Sequence, residues 1–262
     1  MAMDYARLAA EQHRRLEEHP FAHAAKLNAN FRDVADVVSN YEELACRAAL
    51  ILGDNPPKDN ADRCVRDLFA DSFDSLHASR RVIFEGYASI AFPLLRRAFE
   101  CNSLIEYFIF LPDKANGWDN GEQIHNAEIR KYLDDRYSDQ HGATLKRLYA
   151  FFSEAAHPNR AHIPYRHLGE PNQFVLGPVG VPNLFVVAAG YLIRLLELWY
   201  SLSGLIYIKY EEVLTSADSD YGPDHMAIQK RAVQVSGDLD ARRQDFWKHE
   251  YGERASPVDN TA

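Results

Sequence analysis

The sequence predicts an all-α chain: a multi-helix bundle around one long apolar core helix, with a single proline-rich loop. Three observations carry that expectation. Apolar residues recur at three- and four-residue spacing through most of the 262 positions. The stretch from about 183 to 213 is apolar almost throughout. Five prolines (Pro158, Pro164, Pro171, Pro178 and Pro182) crowd into 157–182, where no long element fits. The composition, 47% hydrophobic and 26% charged, is ordinary globular usage and excludes collagen-like, disordered and disulfide-scaffold classes.

The elements follow in order. Residues 4–18 read as an amphipathic helix stopped by Pro20. A second helix covers 29–52, with Phe31, Val34, Val37, Val38, Tyr41, Leu44 and Ala48 on one side and Gly53, Pro56 and Pro57 as its stop. Asn60 is the expected cap of the next helix, whose apolar side holds Val65, Phe69, Phe73, Leu76 and Val82. That helix is expected to run on toward Leu111, kinked or restarted at Pro93 and closed by Pro112. Residues 112–121 read as a loop, 122–137 as a polar surface helix and 141–156 as another helix. A loop or short hairpin around Phe174-Val175-Leu176 follows, then the core helix at 183–213, two short helices over 224–250 and a loose tail from Glu253. The expected organisation is therefore 1–58 as packing helices, 59–215 as the core bundle and 216–262 as short helices and tail.

Charge narrows the function. Lys+Arg 29 against Asp+Glu 38 leaves −9, which argues against a generic DNA or membrane-surface binder. Leu184–Ile208 is long enough to span a bilayer, yet Arg194 and Glu197 near its middle favour a core helix. Cys46, Cys64 and Cys101 match neither a zinc motif nor a disulfide framework, and the N-terminus reads as no secretion signal, so a cytoplasmic setting is expected.

Two helices carry polar groups where an apolar face would be simpler. Arg96 and Glu100 stand four apart on the face of Glu85, Ser89 and Ser103, among residues that read as buried. Such a pair is either functional or a structural clamp between helices, because a buried ion pair gains little over an apolar substitute. Tyr149, Ser153 and His157 repeat the pattern at i, i+4 and i+8: two hydroxyls and an imidazole that could bind a ligand or move a proton. The alternative is that His157, before Pro158, only closes its helix. Downstream lie Arg160, His162, Arg166 and His167; from His141 to His167 the sum is four Lys/Arg minus one Glu, or +3. That local surplus suits a phosphate or carboxylate ligand, or acidic groups of the same chain or of a partner. The Glu-x-x-His pairs Glu122/His125 and Glu154/His157 have di-iron spacing and Glu85 or Glu100 could join them, but Glu122 opens a polar, exposed helix and His157, His162 and His167 match no ligand spacing, so neither metal nor cofactor is expected.

A family likeness appears in Gly86-Tyr87-Ala88-Ser89-Ile90-Ala91, in Leu94-Leu95-Arg96-Arg97-Ala98-Phe99-Glu100, in Tyr107 through Ala115, and in Leu148-Tyr149 with Ser153 and His157-Pro158. These resemble a bacterial all-helical family distantly allied to the HEPN superfamily, the higher-eukaryote and prokaryote nucleotide-binding fold, over roughly 60–210. The resemblance implies a HEPN-like helical core with Arg96, Glu100, Ser153 and His157 as its polar residues, and a setting in bacterial defence or toxin systems. It also implies binding of nucleotide or RNA. Metal-independent ribonucleases of that superfamily use an arginine and a histidine with four to six residues between them; Arg160 and His167 leave six. Ala161 and Pro164 depart from the pattern. The expectation is thus a pocket between the 82–111 and 141–157 helices for an anionic ligand. There His157 or His167 would serve as acid/base, and Arg96 or Arg160 would steady phosphate charge. The competing expectation is a non-catalytic homodimeric scaffold whose polar pairs only fix helix register.

Overall fold

The computed structural model describes residues 24–137, 146–152 and 184–251, with Arg7, Ala10, Glu11, His13 and Arg14 of the N-terminal segment. Among the described residues every element is a helix and there is no strand. The elements are α1 (Arg32–Gly53), α2 (Asn60–Phe84), α3 (Ala88–Phe110), α4 (Pro112–Asp119), α5 (Asn126–Arg136), α6 (Leu184–Ala217) and α7 (Tyr221–Tyr251). Residues 24–30 form a helical lead-in to α1, and 146–152 a further helical segment.

Periodicity explains α1 directly, since Val34, Val37, Val38, Tyr41, Leu44, Ala45, Ala48 and Leu52 are its buried face. The cap of α2 is Asp59 rather than Asn60: its carboxylate accepts from the Asp62 N–H at 2.7 Å. The expected 60–111 helix is two helices, and the break falls at Gly86 instead of Pro93. Gly86 takes φ +86°, its N–H donates to the Ile83 carbonyl and that of Tyr87 to Val82. This pair of bonds satisfies the carbonyls at the end of α2, and the left-handed residue between them turns the chain. Pro93 lies inside α3, close to its start, where a lost N–H costs one hydrogen bond and not the helix.

The antiparallel pair α2 and α3 makes the most extensive contact. Ser72, Ser75 and Ser79 line the buried side of α2 at helical spacing, and small side chains let two helix backbones approach closely. Ser72 Oγ donates to Asn102 Oδ1 at 2.7 Å, and Asn102 Nδ2 donates to the Leu198 carbonyl at 3.1 Å. This buried bridge ties α2, α3 and α6 together.

The expected loop 112–121 is α4, started by Pro112 at its first position. Arg63 and Asn60 of α2 hold it through Asp119 and Asn116. After Gly121 (φ +88°) comes α5, which docks on α3: Tyr107 Oη donates to Glu128 at 2.8 Å and Tyr137 Oη to Glu106 at 2.6 Å.

Helix α6 is the hub, packed against α1, α2, α3 and α7. Its core residues include Leu192, Leu195, Leu196, Leu198, Trp199, Leu202 and Ile206. Arg194 and Glu197 pair with each other at 2.6 Å at its surface, and no described helix is long and apolar enough to cross a membrane. Tyr210 interrupts α6 with non-helical φ −124° and ψ 16°. The two short helices expected over 224–250 are the single helix α7; Gly237 sits within it, at a cost of about 1 kcal/mol relative to alanine. The helix expected over 4–18 lies outside the described residues apart from the five positions named above, and the 157–182 loop lies outside them entirely.

Candidate functional site

Three elements meet at the predicted pocket: α3, α5 and the segment 146–152. Arg96 and Glu100 lie one turn apart on α3, and Arg96 Nε donates to Glu100 Oε1 at 2.9 Å. Their side chains are 26% and 32% exposed, so the pair is half-buried and reachable from solvent, contrary to the sequence expectation of a buried one. The reason is geometric: Leu95, Ala98, Phe99 and Ile105 take the core-facing side of α3, leaving Arg96 and Glu100 on the flank that α5 covers only in part. The ion pair itself lies within α3, and Glu100 extends it to α5.

Helix α5 completes the cluster. Asn126 Nδ2 donates to Glu100 Oε1 at 3.2 Å, and Arg130 Nε donates to the Asn126 carbonyl at 3.3 Å. The Arg130 guanidinium then lies over the Tyr149 ring, 4.1 Å from its centroid, while that of Arg96 sits 5.8 Å from the same centroid. Two cations thus share one aromatic ring, each contact contributing roughly 0.5–1 kcal/mol, and the Glu100 carboxylate pairs with Arg96 alone. Phe152 beside it is fully buried against Phe99, which fixes the segment so that Tyr149 faces the arginines.

The terminal nitrogens of Arg96 and Arg130 make no hydrogen bond among the described residues. Elsewhere the half-buried arginines close on carboxylates: Arg47 on Asp218 and Asp224, Arg66 on Asp62, Arg80 on Glu42, and Arg243 on Asp240. Arg130 has a ring and a backbone carbonyl instead. The planar fork it presents is suited to a bidentate oxyanion, phosphate or carboxylate.

Of the residues singled out from sequence, Arg96, Glu100 and Tyr149 converge. Ser153, His157, Arg160, His162, Arg166 and His167 lie outside the described residues. Ser103, on the same face of α3, returns its hydroxyl to the Phe99 carbonyl at 2.9 Å and serves its own helix. Sequence reasoning missed Arg130 and Asn126. They stand four apart in a helix that reads as polar and surface-type, and only the approach of α5 to α3 distinguishes them from surface charge. Among the described residues no group of three or more His, Cys, Asp or Glu could hold a metal ion. The cavity lined by Phe69, Trp199, Ser203 and Tyr221, about 10 Å³ and so room for one water at most, involves none of these residues.

The chain matches no protein-family model, no curated protein and no solved structure.

Proposed function

We propose that this helical protein binds a phosphate-bearing ligand of the nucleotide or RNA kind at the Arg96–Arg130–Tyr149 cluster. The observation that carries the reading is the pair of guanidiniums sharing one ring, their terminal nitrogens bonded to nothing among the described residues and a carboxylate paired with Arg96 alone. An incoming oxyanion supplies the acceptor that the fold itself gives to most other half-buried arginines, and charge-assisted bonds of this type contribute about 1.5–3 kcal/mol each. Tyr149 holds both cations in register, which lowers the ordering cost of binding. Ribonuclease action is a further step that would draw on His157 or His167.

The test is fluorescence anisotropy with a short labelled single-stranded RNA, with ATP as competitor, at low and moderate salt. Binding should weaken as salt rises and should fall about tenfold or more in Arg130→Gln and in Arg96→Gln. The same samples, incubated without metal and run on a gel beside His157→Ala, show whether RNA is cut. Wild-type protein that binds neither RNA nor ATP at low salt overturns the proposal.

A second reading, a non-catalytic dimeric scaffold, draws on one feature: Tyr200 and Ile208 of α6 and Met226 and Val233 of α7 are large apolar side chains left exposed on the paired helices. Sedimentation of the wild type beside Ile208→Lys tests it. A monomer in both removes it.

A further inference from the structure

The α6–α7 seam contains a second polar cluster that owes nothing to the site above. His225 is buried near the start of α7, its ring stacked on Tyr207 of α6 with centroids 4.4 Å apart. Its Nε2 lies 3.1 Å from Gln229 Nε2, one turn further along α7. The two hydrogens of the Gln229 amide nitrogen are shared among that imidazole nitrogen, the Tyr200 carbonyl at 3.0 Å and Ser203 Oγ at 2.7 Å. The Tyr200 carbonyl fixes the amide orientation, because turning it over would set oxygen against oxygen. An NH₂ group can only donate, so the imidazole nitrogen facing it must keep its lone pair. The ring is therefore neutral, with its hydrogen on Nδ1.

We propose that the His225–Gln229 contact is an acid-sensitive latch: it holds the first half of α7 on α6 while the imidazole is neutral and releases it when the imidazole takes a proton. Protonation would place an N–H against the amide N–H of Gln229 and a cation in a buried seam. Of the groups around it, the one acceptor at hand is Gln229 Oε1, buried and without a hydrogen-bond partner among the described residues, and turning the amide to present it would set it against the Tyr200 carbonyl. From α6 come Tyr207, whose hydroxyl donates to Glu211 at 3.1 Å, together with Ser203 and the Tyr200 carbonyl. From α1 comes Arg47, which lies over the Tyr221 ring and already takes Asp218 and Asp224. Among the described residues no carboxylate bonds to His225. Burial accordingly holds the folded imidazole below its ordinary value of 6.5. With the folded value depressed, the opened state binds the proton first, so closure is fully stable above about pH 6.5 and weakens as pH falls. What opening uncovers is a real surface: Tyr221, packed beside Tyr207 and fully buried in the closed form.

Hydrogen exchange on the full chain tests the latch. Peptides from 221–235 and 198–210 are followed at pH 7 and pH 5.5, with exchange times scaled for the intrinsic rate and α2 peptides as the internal reference. A group of ordinary pKa 6.5 that ionises only when open raises the opening constant about eightfold over that interval. The wild type should show that loss of protection at the seam. His225→Gln, which keeps an acceptor near the Nε2 position but does not titrate, should lose it. Gln229→Glu, which offers the imidazolium a carboxylate, should reverse the direction. Equal acid sensitivity in wild type and His225→Gln overturns the proposal. So does an NMR titration of the wild-type His225 ring with its midpoint at or above 6.5, a measurement that stands even if the variants fail to fold.

Discussion

Removing one oxygen atom from the core, in Tyr210→Phe, tests how the kink in α6 is held. Tyr210 Oη donates to Asp62 Oδ1 near the N-terminus of α2. The same buried carboxylate accepts from the Lys58 N–H at 2.8 Å and from Arg66 at 3.1 Å, and the Arg66 guanidinium lies over the Tyr210 ring. Phenylalanine keeps the ring and that stacking but takes one donor from an anion shielded from water. A bond to a charged group contributes about 1.5–3 kcal/mol, which in a chain of this size corresponds to a drop of about 3–12 °C in Tm. The pH dependence separates this cause from mere repacking. Burial pushes the Asp62 carboxyl up, but the bonds from Tyr210, Lys58 and Arg66, with the Arg66 charge, outweigh it and leave the folded value below the ordinary 3.8. A depressed carboxyl contributes stability above its unfolded value and loses it as pH falls through the folded one. The variant's folded value moves back up, so its stability changes less on acidification. Chemical denaturation at pH 7 and pH 3 should therefore show a wide gap between wild type and variant that narrows in acid. An equal gap at both pH values, or none at pH 7, refutes the reasoning.

The other predictions concern packing and the buried bridge. Asn102→Ala strips Ser72 and the Leu198 carbonyl of their partner and opens a small void, and should cost about 2–4 kcal/mol by urea denaturation. With Ser72→Ala the two losses should couple by about 0.5 kcal/mol or more, whereas simple additivity would mean that the bridge is not a unit. At Gly222 an added Cβ would stand 3.1 Å from Tyr207 Oη and 3.5 Å from Thr215 Cγ2. Gly222→Ala should therefore fall within about 1 kcal/mol of wild type, because the hydroxyl end can yield and alanine favours helix. Gly222→Val should lose about 1–3 kcal/mol; a Tm unchanged by valine would show that the seam is looser than its distances.

Where local periodicity decided the structure, the sequence was readable. The buried face of α1 is the apolar stripe of 29–52, and the long apolar run became the hub helix. The errors fall where a single residue or a distant contact decides. Gly86 and Pro93 both advertise a break seven residues apart. Only the left-handed conformation at Gly86, with its two closing bonds, shows which one ends a helix. Pro112 reads equally as a stop and as a first helical residue, and the docking of α4 on α2 selects the second. At the site, Arg96, Glu100 and Tyr149 were legible because polar groups at helical spacing among apolar ones are conspicuous. Arg130 was not, because a polar helix offers no contrast; its place over Tyr149 follows from the α3–α5 contact, which Tyr107–Glu128 and Tyr137–Glu106 fix.

Apolar packing alone leaves a problem that the polar residues around α6 answer. A helix so rich in leucine could slide or rotate against its neighbours at little cost, since one leucine fills another's place well enough. Three polar contacts at three heights forbid this. The Leu198 carbonyl receives Asn102 from α3, Tyr200 and Ser203 receive Gln229 from α7, and Tyr210 gives its hydroxyl to Asp62 of α2. Each is buried or nearly so, and a one-residue shift would leave a donor or acceptor unmet at about 1–3 kcal/mol apiece. Register is thereby set by groups whose mispairing carries a cost that sliding one leucine past another does not. The same logic makes the seam at His225 vulnerable: of the three contacts, it alone depends on a group whose proton count changes near neutral pH.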